Sequence, residues 1–195
     1  MPAAARHAIT TDPELDGYLR ELHAIVDDVH ALVDPLPASA LDWRPAPGRW
    51  SIAQCLDHLT LAWHQSVGPI DAMIEETRRR GLTGSGPFVH RGIIANLFIR
   101  SMEPPVRRMR AKSFRTMVPP ADRDAAAVLA DFFAAQSGFE DRLLRAAGLD
   151  LARVRRRNAA RISMTLGQWF RFTFAHERRH VWQAHQVRGA PGFPA

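Results

Sequence analysis

The sequence predicts an all-α protein: a four-helix bundle with a long insertion between the second and third long helices. Three observations predict it. Four segments repeat apolar residues at i, i+3, i+4 and i+7. Three of the four open on a Ser/Thr-x-x-Glu/Gln capping box. No segment shows the alternation of a half-buried strand, so no substantial sheet is expected. At 195 residues, 46% hydrophobic and 24% charged, the chain reads as a single domain over residues 1–195.

The first helix opens at Thr11-Asp12-Pro13-Glu14, where Thr11 and Glu14 fit a capping box and Pro13 suits the first turn. Leu15, Tyr18, Leu19, Leu22, Ile25, Val29 and Leu32 trace its apolar face, and Pro35 and Pro37 end it. Residues 36–50 read as a loop carrying Trp43 and Trp50. Ser51 and Gln54 cap the second helix, which places Ile52, Cys55, Leu59, Ala62, Ile70 and Ile74 near one face and frays at Arg80-Gly81. Residues 82–120 form the insertion, with a short helix over Ile93–Met102 and an irregular Arg-rich stretch between two Pro-Pro pairs. The third long helix is expected to start near Ala121-Asp122 and stop before Gly148, with Val128, Phe132, Phe139 and Leu143 inward. After a polar, basic connection over 149–164, Thr165 and Gln168 cap the last helix, which ends at Gly189 and Pro191.

Composition narrows the function classes. No apolar run approaches the roughly 18 residues of a membrane helix. Residues 1–12 lack an apolar leader core, so a cytoplasmic location is expected. The lone Cys55 excludes an internal disulfide or a multi-cysteine zinc site. Net charge is +6, and Lys112 is the only lysine. The arginines cluster at 78–80, 107–115 and 153–161. These clusters read first as solvated surface, with nucleic-acid binding ranked last among the functions considered.

A metal site here must use histidine or carboxylate. His176 and His180, at i and i+4, share one face of the last helix and fall in its apolar stripe. The string His176-Glu177-Arg178-Arg179-His180 fits the H-E-x-x-H pattern of zinc proteases. However, no Asp or Glu follows Glu177, and Gln183 and Gln186 stand where an extended protease motif needs Gly and His. A third ligand must come from upstream. His58, beside the apolar face of the second helix, is the best candidate, whereas His64 points elsewhere. His7, His23, His30, His90 and His185 lack partners at ligand spacing. Three histidines would leave one position for water or substrate. Cys55 reads as core. Glu177 reads as exposed and paired with its arginine neighbours rather than as a base. Asp57 reads as exposed rather than as an orienter of a histidine, and the tryptophans as core or subunit contacts.

Two stretches resemble the DinB-like (DinB/YfiT) superfamily: Trp50-Ser51-Ile52-Ala53-Gln54-Cys55-Leu56-Asp57-His58-Leu59, and Thr165-Leu166-Gly167-Gln168-Trp169-Phe170 running on through His176, His180 and Gln183. The Pro-rich loop with Trp43 fits as well, and the resemblance extends from about Leu15 to Val187. It implies a four-helix bundle with a right-crossing, non-simple helix order. It also implies a divalent metal ion, zinc or nickel among others, on His58, His176 and His180. Relatives include transferases and isomerases using low-molecular-weight thiols and metal-dependent hydrolases, and dimers are common among them. The reading that follows is a metal-dependent enzyme of transferase or hydrolase type acting on a small molecule, as a homodimer. The alternative is a non-catalytic stress-response or small-molecule-binding module.

Overall fold

A computed structural model describes residues 12–105, 115–120 and 122–194. Four long helices dominate it: α1 (Pro13–Val33), α3 (Ile52–Arg79), α5 (Ala125–Arg145) and α6 (Leu166–Arg188). A short helix α2 (Ala38–Leu41) interrupts the 36–50 loop, tucking Ala40 and Leu41 into the core. The insertion carries α4 (Ile93–Met102), as expected, and a 3₁₀ turn at Arg115–Met117. The Arg-rich stretch 106–114 lies outside the described residues. The only described sheet is a two-stranded antiparallel ribbon, β1 (Arg155–Arg157) with β2 (Ser163–Thr165). No helix among the described residues is long and apolar enough to cross a membrane.

The helix order is not the simple up-and-down one. α3 packs against α5 and α6, and α1 packs against the same two. Chain neighbours α1 and α3 therefore face each other across the diagonal, as do α5 and α6. This arrangement makes α3 and α6 neighbours although about ninety residues of chain separate them. The core fills with aromatics. Phe139 of α5 meets Phe174 at 4.9 Å and Phe170 at 6.0 Å on α6, and Trp63 of α3 at 5.2 Å. Tyr18 of α1 closes the same cluster from the fourth side.

Two capping boxes form as read: Ser51 with Gln54, and Thr165 with Gln168. The first does not. Thr11 lies outside the described residues, and Asp12 caps α1, its Oδ1 accepting from the N–H groups of Glu14 and Leu15. Glu14 does not turn back on the cap but reaches the 86–90 loop (below). The third long helix starts later than Ala121-Asp122, at Ala125, with Asp124 as its cap. Arg123, just before the cap, is held between Asp57 and Asp131.

The 149–164 connection holds the ribbon that the sequence reading lacked. Arg155-Arg156-Arg157 has no apolar alternation to announce a strand. Its register sets Arg155 opposite Thr165, so the ribbon delivers the chain straight into the cap of α6.

Close packing marks the start of α6. A Cβ built on Gly167 would lie 2.2 Å from Cε1 of His90, a buried side chain wedged against that first turn. Gly167→Ala should therefore displace His90 and lower stability by about 1–3 kcal/mol, the usual cost of overpacking. Chemical denaturation measures it. An equivalent Gly68→Ala, where a Cβ meets nothing, should cost none of this.

Candidate metal centre

His58 sits in the second turn of α3, and His176 and His180 sit one turn apart in α6, facing it. The crossing of the bundle turns their rings inward together. Nε2 of His58 and Nε2 of His176 are 3.2 Å apart. The His180 ring centre lies 4.4 Å from that of His58 and 4.7 Å from that of His176. One ligand-competent atom from each of the three falls within 4.8 Å of the others, and no other such group of three exists among the described residues.

The outer ring atoms fix which nitrogen faces inward. Nδ1 of His58 lies 2.6 Å from the carbonyl of Met117, which can only accept, so Nδ1 carries the proton and Nε2 the lone pair. Nδ1 of His180 likewise meets the amide oxygen of Gln183 at 3.1 Å. His176 is oriented by packing instead, stacked on Phe172 with ring centres 5.7 Å apart. The half-buried indole of Trp50 walls the group, 4.9 Å from His58 and 5.8 Å from His180.

This donor set fits a divalent cation. Two imidazole nitrogens bound at about 2.0–2.1 Å to one ion stand about 2.9 Å apart at right angles and about 3.3 Å apart at the tetrahedral angle. The 3.2 Å separation of the two Nε2 atoms lies inside that interval. The rings also resist the proton that competes with a metal. Burial, then the positive potential of His58 and Arg179, pulls His176 down to about 3. Burial and the same neighbours hold His180 well below its usual range, and burial lowers His58.

Other histidines stay out of the group. His64 is exposed. His23 pairs with Glu140, His30 with Asp34 and His185 with Asp28. His7 lies outside the described residues. Cys55 is fully buried, its thiol pushed up to about 12 by desolvation, which suits core and not a nucleophile.

Two carboxylates depart from expectation. Glu177 is not exposed. It turns into the bundle, accepts a hydrogen bond from Gln136 of α5 at 3.1 Å, and is pushed up to about 8 by burial. Its neighbour Arg178 pairs instead with Glu21 and Glu103. Asp57 is likewise buried, its Oδ1 meeting Arg123 at 2.5 Å. Neither joins the histidine group. The signals that sequence reasoning missed are the Met117 carbonyl, which any residue could supply, and the placement of Trp50 as a wall of the site rather than as core.

A family model described as the DinB superfamily matches residues 21–184. The chain belongs to the DinB superfamily. Its fold is similar to that of a solved structure titled "YfiT from Bacillus subtilis is a probable metal-dependent hydrolase with an unusual four-helix bundle topology". The identity is 15% and the TM-score 0.59, over 98% of this chain and 95% of that one. No curated protein sequence matches. In this DinB superfamily member the diagonal placement of chain-neighbouring helices is the feature that unites the histidines.

The lowered imidazoles predict a pH dependence for the metal-free protein. The unfolded histidines protonate near 6.5 while the folded ones refuse the proton. Stability is therefore unaffected above that value and falls as pH drops below it, until the folded values are reached. From pH 6.5 to 5, His176 alone should cost about 1–2 kcal/mol. Urea midpoints of chelator-treated protein should show the decline, and His176→Leu should flatten it.

Proposed function

We propose that this protein is a metal-dependent enzyme acting on a small molecule, with His58, His176 and His180 holding one divalent ion. The observation that carries the reading is the 3.2 Å approach of two imidazole nitrogens whose outer partner, on His58, is a carbonyl. An all-imidazole set suits zinc or nickel. Three protein ligands leave a position open, and an ion held there lowers the pKa of a water or thiol that it binds.

The chain's own residues do the rest. Met117 and Gln183 keep the ring nitrogens aimed inward. Trp50 and Phe172 shield two sides from solvent. Cys55 is too deeply buried to serve as nucleophile, and Glu177 is turned toward α5, so neither stands beside the group as a base or nucleophile. A site so plain suits reactions in which the nucleophile arrives with the substrates. Transfer of a low-molecular-weight thiol is the first type proposed, and hydrolysis, the activity named for the Bacillus subtilis relative, is the second.

Metal analysis of tag-free protein tests this. Replacing His58, His176 or His180 by alanine should remove most bound metal with helix content preserved. His64→Ala should leave it unchanged. Equal metal content in His58→Ala and wild type would remove the upstream ligand from the proposal. Consumption of an electrophile by the metal-loaded protein, with cysteine-derived thiols or with water alone, separates the two reaction types.

We also propose a homodimer formed through α4. Val89, Ile93, Ile94 and Leu97, within nine residues of chain, are all more than half exposed, more so than any other large apolar side chain described. Such a cluster is unusual on a monomer, and a second copy presenting the same face would cover it in a two-fold contact. Light scattering should report a dimer at micromolar concentration, and Ile94→Glu should shift it to monomer while leaving bound metal unchanged.

A further inference from the structure

A cavity lies on the side of α6 away from the histidine group. It has a volume of about 500 Å³, within the range of small-molecule sites, and opens between α1, α4, α6 and the 86–90 loop. Arg171, Phe174 and Arg178 line it from α6. At 100° per residue these point about 170° away from His176 and His180, so the helix itself separates the two sites.

A satisfied polar network forms the wall beneath it. Tyr18 donates to Glu14 Oε1 at 2.6 Å, His90 to the same oxygen at 2.7 Å, and the Phe88 N–H to Oε2 at 2.7 Å. Nδ1 of His90 is held by Thr165 at 3.0 Å. Burial pushes the Glu14 carboxyl up, but the bonds from His90, Phe88 and Tyr18 outweigh it and keep the group ionised. Gly86 and Gly167 leave the room this packing needs, since a Cβ on either would come within 2.7 Å of Glu14 or His90. The wall is rigid, and Glu14 is fully engaged.

The cations of the cavity divide into two kinds. Arg178 is committed to Glu21 and Glu103. Arg100 and Arg171 also line the cavity, and neither forms a salt bridge among the described residues, although Arg171 is near enough to Glu103 to favour its charged form. Pro87 and the half-buried Phe88 supply the cavity's accessible apolar surface, with the buried Ile99 and Phe174 behind them as floor. Three lining glutamates balance the three arginines, so the site accepts one added negative charge more readily than two.

We propose that this cavity binds an organic monocarboxylate with an aromatic or aliphatic body, its carboxylate on Arg100 and Arg171 and its body against Pro87 and Phe88. Guanidinium groups outside any salt bridge, beside apolar side chains, suit such a ligand, because charge-assisted pairs fix its head and burial holds its tail. The site stands apart from the histidine group and needs no metal.

Calorimetric titration of the full chain with 3-phenylpropanoate tests it, beside the neutral 3-phenylpropanamide and benzylphosphonate, in a buffer alkaline enough to make the phosphonate a dianion. Saturable one-site binding of the carboxylate is expected, with the amide and the phosphonate each about tenfold weaker or more. Arg171→Gln and Arg100→Gln should each weaken the carboxylate by about tenfold. The exposed Arg100 variant keeps the test open should Arg171→Gln fold poorly. His180→Ala should bind the carboxylate as wild type does. Absence of saturable binding at millimolar carboxylate overturns the proposal, as does equal affinity for the amide or tighter binding of the phosphonate. So does a loss in His180→Ala with the arginine variants unaffected, which would place the ligand at the histidine group.

Discussion

Imidazoles that face one another in a desolvated interior cannot readily carry charge, and the centre of this molecule is arranged around that constraint. Burial holds His58, His176 and His180 toward the neutral form, His58 adds to the effect on the other two, and Arg179 reinforces all three. A neutral ring has one N–H and one lone pair, so wherever an outer acceptor takes the N–H the lone pair is aimed inward. Met117 and Gln183 do this for two of the three. The 3₁₀ turn at Arg115–Met117, otherwise a minor element, thus acquires a specific position against α3.

What the sequence disclosed and what it hid follow from the range of the interactions. The two caps at Ser51 and Thr165 and the i, i+4 pair of histidines are local, and their geometry is set within one helical turn. His58 was reachable because its helix face was legible from its neighbours. Glu177 and Asp57 were not. Each sits in a string that reads as exposed, and each is buried by a partner on another helix, Gln136 or Arg123. Glu14 misled for a related reason: a residue that fits a capping box locally was taken by the 86–90 loop instead. The ribbon at 155–165 is too short and too basic to carry a period at all.

α6 separates two groups of side chains. One face offers histidines to α3, while the other offers arginines to the cleft beside α1 and α4. Its first turn joins the two, because Thr165 caps the helix that bears the histidines and also holds His90 of the cleft wall. A shift of that turn is therefore felt on both sides.

The diagonal placement of chain-neighbouring helices bears on how the protein comes into being on the ribosome. His58 and His176 are 118 residues apart, and the helix that completes the group is the last one in the described chain. Although α1 and α3 can already pack on α5, the α3 surface that α6 will cover stays open to solvent until then. At the pace of synthesis of about 5–20 residues per second, that surface stays bare for several seconds. Large sequence separation between contacting helices slows folding further. The centre is therefore assembled late and in one step, and no truncated chain lacking α6 can hold it.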